Sequence, residues 1–205
     1  MTKDQMLVPL EDYLKSGIHI GTKYRTKDMA PFIYKIRNDG LSVFNVQEID
    51  KRLTTVANFI SQYAPEEIIT VCRRENGWDA VKLFSKLTNI RCYAKRYLPG
   101  ILTNTQLEIF TEAKLLIAVD PWPDKNAIND AIRSGMTVIA LCDTNNDARN
   151  VDLILPCNNK GRKSIGLIFY ALTREYLKNR KLIKKESDFT QKIEDFEGEE
   201  TVSKK

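Results

Sequence analysis

Four short stretches of this sequence are almost continuously apolar: residues 68–72, 115–120, 137–142 and 151–155. A strand with one wet face alternates polar and apolar side chains. Unbroken apolar runs of this length instead suit strands covered on both faces, the condition of a parallel sheet. Between and before them the spacing becomes helical. Ile49, Leu53, Val56, Ala57 and Ile60 form one stripe, as do Trp78, Val81, Phe84 and Leu87. Ala127, Ile128, Ala131 and Ile132 form another within residues 124–134, with Gly135 placed to end that helix. Repeated alternation of strand and helix predicts a right-handed α/β sandwich with a mostly parallel sheet.

The ends of the chain read differently. A short amphipathic turn spans residues 10–15, and residues 32–37 and 41–46 flank Asn38-Asp39-Gly40, a strong signal for an N-terminal β-hairpin. A last helix is expected over residues 161–181, with Arg174, Lys178 and Lys181 on a basic face opposite Ile165, Ile168 and Leu172. Residues 1–183 are therefore expected to form one α/β domain, and residues 184–205 an acidic, flexible tail. Residues 1–185 carry 29 bases against 20 acids, whereas from Glu186 onward there are seven acids against three lysines. A basic body with an acidic tail hints at nucleic-acid contact. No apolar run approaches the length of a membrane span, no signal peptide is expected, and the spacing of Cys72, Cys92, Cys142 and Cys157 suits an intracellular chain of reduced cysteines.

An enzyme built on such a sheet would place its chemistry beyond the carboxyl ends of the strands. The candidates there are Arg73 and Arg74, Asp120, Asp143 and the turn at residues 158–163. Asp120 and Asp143 have the chemistry to share a magnesium ion, or to serve as turn and helix caps. A phosphate-binding loop of the G-x-x-x-x-G-K type fails: five residues before Gly161 stands Pro156, which has no amide hydrogen, and Arg162 follows where lysine is needed. Asp143, Asn145 and Asp147 begin a calcium-loop pattern, but Ala148 and Ile154 replace its glycine and glutamate. With His19 as the single histidine, triads and histidine-metal sites have little to draw on. No cofactor and no small-molecule substrate are expected; a nucleotide-utilising enzyme with its site at the strand ends is the alternative reading.

Three clusters of cations remain. One is Lys23, Arg25, Lys27, Lys35 and Arg37, interleaved with Tyr24, Phe32 and Tyr34. A second is Arg91, Lys95 and Arg96 with Tyr93 and Tyr97. The third runs from Asn158, Asn159, Lys160, Arg162 and Lys163 into the last helix. Cations neutralise phosphates and tyrosines stack on unpaired bases, so this composition fits RNA better than a small anion.

The segments "GIHIGTKYRTKDMAPFIYKIRNDG", "RYLPGILTN", "AVDPWPDKNAINDAIRSGMTVIALCDTNN" and "VDLILPCNNKGRKSIGLIFYALTREYL" resemble the small-subunit ribosomal protein S2 family in its archaeal and eukaryotic branch, over about residues 7–182. The resemblance implies a Rossmann-like three-layer sandwich without catalytic activity, held in the cytoplasm on small-subunit ribosomal RNA and neighbouring ribosomal proteins, with no membrane partner. Matching motif positions imply RNA-facing roles for His19, Lys23, Arg37, Asn38, Arg96, Asn104, Asn158, Asn159, Lys160 and Arg162. The chain departs from the family pattern at Ile101, where threonine is usual, and at Trp122 and Pro123. Only residues 105–113 separate Asn104 from the next strand, so the helical hairpin that bacterial members insert here is absent.

Overall fold

In the computed structural model, which describes residues 6–183 and 189–198, the four apolar runs become neighbouring strands of one sheet. They are β3 (Ile68–Cys72), β5 (Leu115–Ala118), β6 (Thr137–Cys142) and β7 (Leu153–Pro156); β4 (Arg91–Ala94) completes an all-parallel sheet of order β4-β3-β5-β6-β7. Every residue of β3 and β5, and all but the first of β6, is buried. Both faces of these central strands are therefore covered, which explains their lack of polar alternation. The edge strand β4 lies partly in solvent and reads Arg-Cys-Tyr-Ala, so the sequence gives it no apolar run.

Connections out of β3 and β5 run in opposite directions along the sheet. Because such crossovers are right-handed, the helices that follow these strands, α3 (Trp78–Thr88) and α4 (Lys125–Arg133), lie on opposite faces. Helix α3 packs on β3 and β4, and α4 on β5 and β6. The layer with α3 also holds α5 (Arg162–Asn179) and α2 (Val46–Ile60), giving the three-layer sandwich. Where the two crossovers diverge, a crevice opens beyond the carboxyl ends of β3 and β5.

Helix α5 is more enclosed than its sequence pattern predicts. Residues 164–169 are all buried, because α2, α3, the short helix α1 (Leu10–Ser16) and the C-terminal helix α6 (Ile193–Glu197) each cover part of it. Arg174, expected on an open basic face, is half-buried; it donates to the carbonyl of Leu7 and pairs with Glu175 at 3.2 Å. On the α6 side, Gly166 permits close approach: a Cβ there would lie 3.2 Å from both the carbonyl carbon of Phe196 and the amide nitrogen of Glu197. Phe196 is buried and, like Phe189, meets the ring of Tyr170. Residues 189–198 of the acidic segment are thus seated on the body by aromatic packing, a contribution its charge pattern conceals.

The expected hairpin forms from β1 (Ile33–Ile36) and β2 (Ser42–Phe44), turning through Gly40 at φ 85°. Residues 19–22 run alongside β2: Phe44 N–H donates to the His19 carbonyl at 2.8 Å and Gly21 N–H to the Ser42 carbonyl at 2.9 Å.

Truncating Ile139, fully buried in β6, to alanine is expected to lower unfolding free energy by about 2–5 kcal/mol without changing the denaturant slope. A loss below about 1 kcal/mol in urea titration would contradict this placement of the core.

Candidate nucleic-acid interface

The strand ends are joined by a buried polar network centred on Asn146. Its Nδ2 donates to Asp120 Oδ1 at 3.0 Å, and its Oδ1 accepts from the Asp143 amide at 2.7 Å and from Asn159 Nδ2 at 2.9 Å. Asp120 Oδ2 accepts from Arg74 through both Nε and a terminal guanidinium nitrogen. Asp143 Oδ2 meets Lys160 Nζ at 2.9 Å, and the same ammonium donates to Asn145 Oδ1 at 2.9 Å. Each of the two aspartates considered as magnesium ligands is therefore paired with its own cation. Asp124 bridges β3 and β5, accepting from Arg73 N–H at 3.0 Å and Asp120 N–H at 3.2 Å; burial pushes its carboxyl up to about 7.

A basic loop is laced to this network. Thr22 N–H donates to Thr144 Oγ1 at 2.9 Å, Thr26 N–H to the Thr144 carbonyl at 3.0 Å, and Thr26 Oγ1 to the Asn146 carbonyl at 2.7 Å; Asp28 accepts from Ala148 N–H at 3.2 Å. Gly21 lets the loop lie this close, since a Cβ there would stand 2.5 Å from Thr144 Cγ2. The residues between these anchors point outward: Lys23, Arg25 and Lys27 are exposed, and Tyr24 is 80% exposed. Lys35, Arg37 and Asn38 are exposed on the hairpin, as is Tyr34 at 70%. Arg37 pairs with Asp39 at 3.1 Å. Among the described residues, Lys23, Arg25, Lys27 and Lys35 have no carboxylate within ion-pair distance. Phe32, by contrast, is buried beneath Arg52.

The turn at residues 158–163 divides its side chains between internal contacts and solvent. Asn158 is a brace: its N–H donates to the Ile18 carbonyl at 2.9 Å, and its Oδ1 accepts from the amides of Lys160 and Gly161, each at 3.1 Å. Asn159 is fully buried, and Nδ2 also donates to the Leu141 carbonyl at 2.8 Å, so it supports the interface from inside and does not reach it. Lys160 is held by Asp143, while Arg162 grips Asp79 at 3.0 Å and the carbonyl of Glu197. Lys163 is the exposed cation of this turn. Polar side chains after a strand carry no local mark that separates internal braces from ligand contacts.

The remaining sites are dispersed. Arg96 is exposed just past β4, beside a cleft shared with Arg91, Tyr93 and Leu98; Tyr97 is buried and donates to Asp130 at 3.1 Å, so it is no stacking surface. Asn104 is exposed but its Oδ1 caps a turn at Gln106 N–H, 3.0 Å away. That loop is fixed near the carboxyl end of α4, where Ser134 Oγ donates to the Leu102 carbonyl at 2.8 Å. It therefore lies toward the opposite pole from the basic loop. Desolvation lowers the His19 imidazole from its ordinary value, against a smaller opposing effect of the Tyr13 backbone.

Known proteins are similar to this chain over almost its whole length. The family model described as ribosomal protein S2 matches residues 13–115 and 108–179. The small ribosomal subunit protein uS2 of Nanoarchaeum equitans is 46% identical over 196 residues, covering 96% of this chain and 98% of that protein. The uS2 protein of Picrophilus torridus is 43% identical over 197 residues, covering 96% and 98%, and that of Methanococcus maripaludis 46% over 190 residues, covering 93% and 86%.

Replacing Asn146 by alanine strands several buried groups at once and is expected to cost about 1–3 kcal/mol in urea unfolding; an unchanged midpoint would show the network to be dispensable. Asp124 gives a signed pH effect. Its folded carboxyl titrates at about 7 and its unfolded one near 4. Between those values the folded chain holds a proton that the unfolded chain releases, so this contribution to stability is complete below about pH 4 and lost as pH rises through about 7. Asp124→Asn is expected to remove up to about 1.4 kcal/mol per pH unit of slope in that window. Superimposable stability–pH curves for the two chains would exclude it.

Proposed function

Because the chain belongs to the ribosomal protein S2 family, we infer that it is a structural, non-enzymatic constituent of the small ribosomal subunit, binding ribosomal RNA and neighbouring ribosomal proteins. The observation that carries the RNA reading is the anchoring along residues 22–28. Thr22, Thr26 and Asp28 hydrogen-bond to the turn after β6, while Lys23, Tyr24, Arg25 and Lys27 among them are exposed. Cations fixed in a row neutralise successive phosphates and release their counterions. Holding the loop by hydrogen bonds to the sheet lowers the entropy lost when RNA binds.

Lys35, Arg37 and Asn38 extend the surface along the hairpin, with Lys163 and Arg96 at further strand ends; Tyr24 and Tyr34 offer faces to unpaired bases. Asn158, Asn159, Lys160 and Arg162 act beneath it as supports. The protein works on the ribosome, in the cytoplasm. The rival enzyme reading draws no support from the geometry, because Asp120 and Asp143 are each tied to a cation and to Asn146 or its backbone neighbours.

Changing Lys23, Arg25, Lys27 and Lys35 together to glutamine is expected to weaken binding to small-subunit ribosomal RNA. The slope of log affinity against log salt should fall by about 3, from four lost phosphate contacts at about 0.7–0.9 each. Retention of the parental salt slope, with normal co-sedimentation on small subunits, would overturn this assignment of the basic loop.

A further inference from the structure

The connection between β5 and α4 lies at the switch point of the sheet and carries an aromatic side chain the fold does not use. Trp122 is 66% exposed, yet its backbone is fixed. Its N–H donates to Asp120 Oδ1 at 3.0 Å, the other oxygen of that carboxylate is clamped by Arg74, and Pro121 and Pro123 restrict the chain on either side. A single apolar side chain on a surface is ordinary; here its neighbours distinguish it. Toward β3 stands Arg73, exposed and with no carboxylate partner among the described residues, its N–H anchored on Asp124 beside the Asp120 amide. Toward β6, Asp120 Oδ1 also accepts from Asn146 Nδ2, and the Asn146 carbonyl accepts from Thr26 Oγ1, the residue between Arg25 and Lys27. The exposed indole thus stands on a loop that hydrogen bonds join, through Asp124, to the backbone of Arg73 and, through Asn146, to the residue between Arg25 and Lys27.

We propose that Trp122 is a stacking platform for an unpaired RNA base, with the phosphates of the same strand drawn to Arg73 on one side and to Arg25 and Lys27 on the other. This rests on the RNA-binding reading and adds the form of the ligand: a single-stranded stretch crossing the switch point. An indole face accepts any base, whereas a duplex keeps its bases within its own stack. Because the platform is held before RNA arrives, stacking requires no ordering of the loop.

The test uses the full chain with a short unstructured RNA single strand and a blunt RNA duplex of equal length, followed by tryptophan fluorescence. Trp78, partly buried beneath Lys95, provides the second, unaltered signal. The single strand is expected to quench Trp122 and shield it from acrylamide. Trp122→Leu should abolish that quench and weaken single-strand binding about tenfold, the size of one base–aromatic stack, while Trp122→Phe restores most of it. Duplex affinity should be nearly unchanged. Parental single-strand affinity in Trp122→Leu, equal losses on both RNAs, no shielding in the unaltered chain, or a defect confined to joining neighbouring proteins would each overturn the proposal. The basic-loop glutamine variant separates the two readings: loss of RNA binding there, with none from Trp122→Leu, removes the platform and leaves the RNA-binding assignment standing.

Discussion

The amide of Asn146 meets one carboxylate, one backbone N–H and one neighbouring amide, all buried at the strand ends. Two carboxylates lie near it, and burying such charges is tolerable only with opposite charges and hydrogen bonds in place. Arg74 and Lys160 supply the charges from β3 and from the turn after β7; Asn146 supplies the neutral link between β5 and β6. Its backbone carbonyl then receives Thr26, so the residue that satisfies the interior also seats the basic loop outside. Geometry that a nucleotide-binding sheet leaves open for a ligand is closed here by the protein's own side chains.

Legibility in the sequence followed burial. Strands β3, β5 and β6 are covered on both faces and their apolar runs said so; the edge strand β4, with arginine and tyrosine among four residues, had nothing comparable to show. The hairpin was legible because a turn at positive φ demands Gly40 or its like. Helix α5 misled because an amphipathic pattern presumes one open face, whereas segments from both ends of the described chain cover it.

At the candidate site the limits were of a different kind. A cation at a loop or the helix start beside it looks the same whether it meets solvent, as Lys163 does, or a buried aspartate, as Lys160 does. Tyrosines divide in the same way: Tyr24 and Tyr34 face outward, and Tyr97 is enclosed with Asp130. Family resemblance pointed to segments expected to face RNA, but the contacts made within them depend on partners more than a hundred residues away, such as Gly17 for Asn158 and Thr144 for Thr22.

The anchors of the basic loop have a consequence for the order of events. Thr22 and Thr26 find their partners 120–122 positions further along the chain, in the turn that follows β6. Contacts closing so long a loop form late, after the local elements they join. Until β6 is in place, Lys23, Arg25 and Lys27 have no common spacing and no rigid backing, and an incomplete chain offers RNA only diffuse charge. On the RNA-binding reading proposed for this loop, its grip is conditional on the finished sheet.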